Sequence, residues 1–236
     1  MLRFYNCNLI SQEYIEKLYA AFSGYKFQPG FRERCSPLTP PTDEQLAALR
    51  KPLRQISEEE FDRYPGSAIY TWGDLEDYKY FFPRLTELVT LSPKPAVFEE
   101  FYFYKFDSLD FNNWPETEKE VTCKAIEQYF IYRISNPEGY SIDHLEVIIG
   151  LIGAEKVIEL WTNDKSAASA QYIADFVLSN PEYLTRKLAG SDAEQFKTWL
   201  KSIEVVNKLI LAAKKCDDDY HKFNLETAAE YILNTR

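Results

Sequence analysis

Methionine, histidine and closely spaced cysteine are what this 236-residue sequence has least of, with one Met, two His and four Cys. Cys7, Cys35, Cys123 and Cys216 stand far apart, so none of the short spacings that hold zinc or run thiol–disulfide chemistry occurs, and they read as reduced thiols. His144 and His221 are the only imidazoles, and a metal or acid–base centre built on either would have to be completed by carboxylates. Glycine is scarce too, at eight residues. There is no glycine loop to cradle a phosphate, no dinucleotide fingerprint, no nucleophile elbow and no helical pair of metal-binding histidines. The sequence therefore implies no metal and no cofactor, and a non-enzymatic role is the leading expectation.

Positive charge is also in deficit, 27 Lys and Arg against 37 Asp and Glu, and the acidic excess runs through both halves of the chain. Such a surface repels phosphate backbones, which argues against nucleic acid as a partner; it suits a basic partner, with a charge that simply keeps the protein in solution as an alternative of at least equal weight. Long apolar runs are missing as well. Nothing approaches the roughly 18 residues a membrane helix needs, and the opening MLRFYNCNLI lacks the core of a secretory signal, so no membrane association and a cytoplasmic location are expected.

What the sequence does have is aromatic residues, 17 Tyr and 16 Phe. Many gather around the stretch from Thr71 to Leu91, where Tyr78, Tyr80, Phe81 and Phe82 precede Pro83 and Arg84. Asp74 can cap the helix that follows it, and Asp77 adds a second carboxylate near the positive end of that helix. Pro83 lacks an amide hydrogen and would cost a continuous helix roughly 3 kcal/mol, so two helices meeting at Phe82 are expected, with Pro83 opening the second. Leu85, Leu88, Val89 and Leu91 give that second helix an apolar face. Arg84 then falls near the break, where pairing with Asp74, Asp77 and free carbonyls is the favoured reading. Trp72, Asp74, Asp77 and Arg84 are nonetheless the candidate ligand-binding residues, and no catalytic residue is assigned.

Thr71-Trp72-Gly73-Asp74, followed by Phe81-Phe82-Pro83-Arg84-Leu85 and Glu87-Leu88, resembles the signature of a family of uncharacterised bacterial proteins. In that family a Thr-Trp-Gly segment leads into a Phe-Leu-Pro-Arg helix. Pro52-Leu53-Arg54 with Phe61 and Tyr64, and Ala174 to Leu178, fit the same pattern more loosely. The resemblance implies an all-helical architecture and a bacterial source, and carries no activity. Clustered cysteines near the position of Cys35 in that family find only Cys35 here.

In chain order, a first helix is expected from Ser11 to Gly24. Residues 25 to 41 form an irregular stretch that places Arg32, Arg34 and Cys35 together, where Cys35 is either a packed thiol, the favoured reading, or a thiol activated by arginine. Thr42 with Gln45, and Ser57 with Glu60, match the reciprocal capping box. Ser92 to Pro95 makes a turn. Ala96 to Phe106 favours a helix over a strand, although its alternating aromatics suit either. Trp114-Pro115 opens a long helix to about Ser135, and Asn136 to Gly139 is the clearest turn. Helices are then expected from Ser141, from Ala154 to Trp161, from Lys165 to Ser179, after Pro181, from a cap at Asp192, from Ser202 to Cys216 and from Leu225 to Leu233. Trp72 and Asp74 find a loose echo in Trp161 and Asp164, short of a repeat. The acidic run Asp217–Asp219 before His221 reads as a solvated link between helices, with a weak cation site as the alternative.

The expected fold is all-α: roughly ten to thirteen short helices in an α-solenoid or irregular array, one domain over 1–236 with a sub-boundary near 136–140. The expected function is a non-enzymatic protein-binding module of the bacterial cytosol, of the immunity or antitoxin kind, neutralising a basic protein partner. Two alternatives stay open. One is an enzyme or small-ligand-binding protein with its site at the Trp72–Arg84 junction; the other is a scaffold whose aromatic residues all face inward.

Overall fold

The computed structural model describes residues 12–91, 99–136, 144–179 and 190–235. Among these the fold is all-α, with no strand beyond an isolated bridge between Ala68 and Trp72. The chain divides into two compact units, Met1–Tyr129 and Phe130–Arg236. Expected elements at residues 92–98, 137–143 and 180–189, and the helix start at Ser11, lie outside the described residues, as does Cys7.

In the first unit, α1 runs Gln12–Ala21, α2 Asp43–Leu49, α3 Glu58–Phe61, α4 Tyr64–Ser67, α5 Leu75–Leu91 and α6 Glu99–Lys105. The helix α7, Glu116–Ser135, crosses the division between the units. Both capping boxes form. Thr42 and Gln45 exchange bonds at the start of α2, and Ser57 and Glu60 at the start of α3. The aromatic run of α6 is helical.

Pro83 does not split the central segment. The expectation of two helices meeting at Phe82 is corrected: α5 is one helix of 17 residues with Pro83 inside it. The reason is burial on both sides of the proline. Tyr78, Phe81, Phe82, Leu85 and Val89 are all 0–1% exposed, and each such side chain contributes about 1.5–3 kcal/mol when removed from water, against roughly 3 kcal/mol for the proline. Phe81 packs on Tyr64 at 4.6 Å between ring centroids, on Phe61 at 5.7 Å and on Phe27 at 5.8 Å. Phe82 faces Phe22 at 5.0 Å and Trp114 at 5.2 Å, and stacks on Tyr102 at 5.9 Å. These two neighbouring rings thus anchor α5 to α3, α4 and α6 and to the connecting segments that carry Phe22, Phe27 and Trp114. Beside them Lys79 is buried against Glu118 at 2.8 Å and lies 4.4 Å over the Trp114 ring, so its charge is matched inside the core.

The second unit holds the last residues of α7, then α8 Leu145–Ile152, α9 Ala154–Asn163, α10 Ala167–Ser179, α11 Ser191–Leu200, α12 Ile203–Ala213 and α13 Asp219–Asn234. Its core centres on Trp161, which is fully buried among Phe130, Phe196 and Trp199 and donates its indole N–H to Ser169 O at 3.1 Å. Trp161 lies within a helix whereas Trp72 lies in a loop, so the sequence echo joins two different settings. Two helix starts differ from expectation. α11 is preceded by Gly190 at φ 70°, which lets the chain turn into the helix before Asp192. α13 begins six residues before Leu225, because the Asp218 carboxylate accepts the His221 N–H at 2.8 Å and Asp219 faces the positive helix end. Asp217 and Asp218 thus lie exposed in the connection between α12 and α13, as expected, while Asp218 also caps α13 and Asp219 is its first residue.

Candidate functional site

The junction residues are placed by the start of α5. Asp77 donates its backbone N–H to Asp74 Oδ1 at 3.0 Å, and Asp74 N–H returns a bond to Asp77 Oδ2 at 3.2 Å, a capping box made of two carboxylates. Two acidic side chains this close need a cation, and it comes from the irregular stretch before α2. Arg34 grips Asp77 with Nε at 2.9 Å and Nη2 at 2.6 Å, reaches Asp74 Oδ2 at 3.5 Å, and ties back to Pro29 O at 3.0 Å. Asp77 is wholly buried, so this fork is the strong, bidentate kind, and its hydrogen bonds raise the Arg34 pKa above the usual guanidinium value. Gly73 fits beneath it with φ 69°; a Cβ there would stand 2.7 Å from Asp77 Oδ2 and 2.9 Å from the Phe31 ring. Trp72 is buried and donates to Thr39 O at 2.7 Å.

Arg84 is elsewhere. Its Nε donates to Ile56 O at 2.9 Å and its Nη1 to Glu87 Oε2 at 2.8 Å, where the Tyr19 hydroxyl also donates at 2.6 Å. Burial, with the Glu87 carboxylate beside it, pushes the Tyr19 pKa up. The favoured pairing of Arg84 with Asp74 and Asp77 is thus corrected: Arg34 holds those carboxylates, and Arg84 braces α5 against the loop before α3. Cys35 is 8% exposed, its Sγ donates to Phe31 O at 3.1 Å, and burial raises its pKa, while the neighbouring Arg34 is engaged by Asp77. That is the setting of a packed thiol and not of an activated one. Among the described residues no cluster of His, Cys, Asp and Glu is arranged to hold a metal ion, the 217–221 segment included.

Two features of the second unit were not visible in the sequence. The first is a cleft of about 510 Å³ between the α9–α10 connection and α12. Trp199 forms part of it, with its indole N–H on Thr162 Oγ1 at 3.1 Å, and Ala170, Val205 and Leu211 supply apolar wall. Lys208 lies in it and donates to Trp161 O at 2.6 Å and Asp164 O at 2.5 Å. Burial lowers the Lys208 pKa to about 8. The Asp164 carboxylate is turned to Ser135 and Ser166, whose hydroxyls both donate to it at 2.5 Å.

The second feature is the outer face of α13. Leu225, Ala228, Ala229 and Ile232 bury one side, against α10 and α12. On the other side Tyr220, Phe223 and Tyr231 are 70%, 64% and 48% exposed. Positions 220, 223, 227 and 231 fall on one row of a 3.6-residue helix, with Thr227 completing the stripe, and Glu226 and Glu230 are exposed on the adjoining row. Three large aromatics at such exposure on one helix face exceed what a solvated helix requires.

No family model matches the chain, and neither a curated protein nor a solved structure matches it. Among the described residues no helix is long and apolar enough to cross a membrane.

Proposed function

We propose that this chain is a non-enzymatic protein-binding module of the bacterial cytosol, an immunity- or antitoxin-like protein that neutralises a basic protein by covering it. The observation that carries the reading is the exposed Tyr220–Phe223–Tyr231 stripe of α13. Tyrosine and phenylalanine supply large contact area at little conformational cost and are enriched at interface centres. Glu226 and Glu230 beside the stripe, Asp217 to Asp219 at its head and the net charge of −10 favour a cationic surface opposite it. The bacterial source rests on the resemblance carried by the Trp72–Leu88 motif. The junction alternative finds no comparable support, since the polar groups of Trp72, Asp77 and Arg84 are engaged within the chain.

The reading is tested by salt and by charge. Tagged protein incubated with an extract of its own cells at low salt is expected to retain a basic protein that moderate salt releases. With that partner purified, Glu226→Gln and Glu230→Gln together should slow association several-fold and flatten its dependence on ionic strength. A partner held equally at both salt concentrations, or an association rate unmoved by the two amides, would remove the electrostatic basis of the proposal.

A further inference from the structure

The geometry points to a second, independent site: the cleft beside α12 binds a small monocarboxylate with an apolar body, its carboxylate on the Lys208 ammonium and its hydrocarbon against Trp199, Ala170, Val205 and Leu211. The cleft's volume, about 510 Å³, lies within the range of about 300–1,000 Å³ usual for small-molecule pockets. Its walls are mainly apolar, and Leu211 remains 56% exposed at its edge, apolar surface that a ligand would cover. Polar residues also line the cleft, Thr162, Ser166 and Asn207 among them, and Lys208 is the one whose ammonium is held in a fixed direction. Lys208 uses two of its three N–H groups on Trp161 O and Asp164 O, which fixes the ammonium and leaves one donor for a ligand.

Charge at the rim decides the ligand class. Lys165 and Lys215 add two cations, while Glu204 and Asp164 supply the carboxylates, Asp164 being occupied by Ser135 and Ser166. The balance is a single positive charge, enough for a monoanion and too little for a phosphate monoester, which would want several convergent donors. A fixed ammonium in a cleft also lined by an indole and aliphatic side chains matches a carboxylate on a hydrocarbon chain.

Octanoate is a suitable probe, titrated into the full-length protein by calorimetry at pH 7, with 1-octanol as the neutral counterpart and hexanoate as the shorter one. One octanoate per chain is expected, hexanoate weaker by roughly fourfold for each methylene removed, and octanol at least tenfold weaker than octanoate. Lys208→Met keeps the stem and removes the charge, and should bring octanoate down to the affinity of octanol. Because Lys208 also closes two backbone carbonyls, Leu211→Glu provides an exposed change that leaves those bonds alone; it should weaken octanoate at least tenfold with the circular dichroism unchanged. Absence of octanoate binding at millimolar concentration, octanol bound as tightly as octanoate, or affinity unaffected by Leu211→Glu would each overturn the assignment.

Discussion

Lys105 carries its ammonium group into the first unit at 2% exposure, with no carboxylate paired to it among the described residues. Its contacts are the Tyr70 ring, 3.5 Å from Nζ to the centroid, and Gly66 O at 3.4 Å. A π face and one long hydrogen bond do not replace the water an ammonium loses, so burial lowers its pKa to about 8 from an ordinary 10.5. Between these values the unfolded chain binds the proton more than the folded one, so this residue's contribution improves as pH rises through the window and is worst below about 8, where both states are charged. Replacing Lys105 with Met should therefore help most at low pH. Urea unfolding of wild type and Lys105→Met from pH 7 to 10.5 is expected to show a gap in favour of the variant that narrows upward from pH 8; a gap independent of pH would mean the ammonium finds solvation that its contacts do not suggest. Lys105 shows how little of the residue scale was legible. A lysine among aromatics in sequence gives no sign of being buried, just as nothing joined Arg34 to Asp77 across 43 positions. The sequence located the carboxylates of the junction correctly, but the cation that pairs with them arrives through a loop whose path only the folded chain sets.

At the scale of elements, local chemistry was legible wherever it was decided locally. Thr42–Gln45 and Ser57–Glu60 cap as their spacing predicts, Ser202 accepts the Val205 N–H, and Gly153 at φ 82° separates α8 from α9. Where tertiary burial competes with a local rule, burial wins, and Pro83 is the instance. The ring removes the amide that would bond to Lys79 O, yet residues on both sides must face the same core. Pro83→Ala should restore that amide and relieve the ring's clash, worth up to about 3 kcal/mol, while losing the packing of a buried ring worth about 1–2 kcal/mol. A net stabilisation of about 1 kcal/mol is expected in denaturant unfolding. A loss of similar size would show that α5 has adapted its backbone to the proline and depends on it. The start of α13 is an exception to that local legibility: the three aspartates read as a solvated link, yet Asp218 caps the helix that follows through a bond only three residues long.

For the whole molecule, the all-α fold was legible from helix signals and tight turns, even with one alternating aromatic run that suited a strand as well, whereas the surface was not. Periodicity distinguishes one face of a helix from another, but in α13 both faces carry apolar residues, and only the packing of Leu225, Ala228, Ala229 and Ile232 shows which one is inside. The aromatic content divides accordingly. Among the described residues a large share, from Phe22 to Trp199, is buried in the two cores, whereas Tyr70, Phe101, Tyr104, Tyr220, Phe223 and Tyr231 are exposed, the last three together on α13 in a chain of net charge −10. An exposed aromatic stripe bordered by carboxylates is the feature on which the proposed binding role rests. The most direct measurement compares wild type with the Tyr220→Ser, Phe223→Ser, Tyr231→Ser triple variant, matched in circular dichroism, as bait in parallel low-salt capture from the same cells. A basic protein retained at about one per chain by wild type and missing from the variant is the predicted result, and equal retention by both, or a wild type that holds only copies of itself, would contradict it.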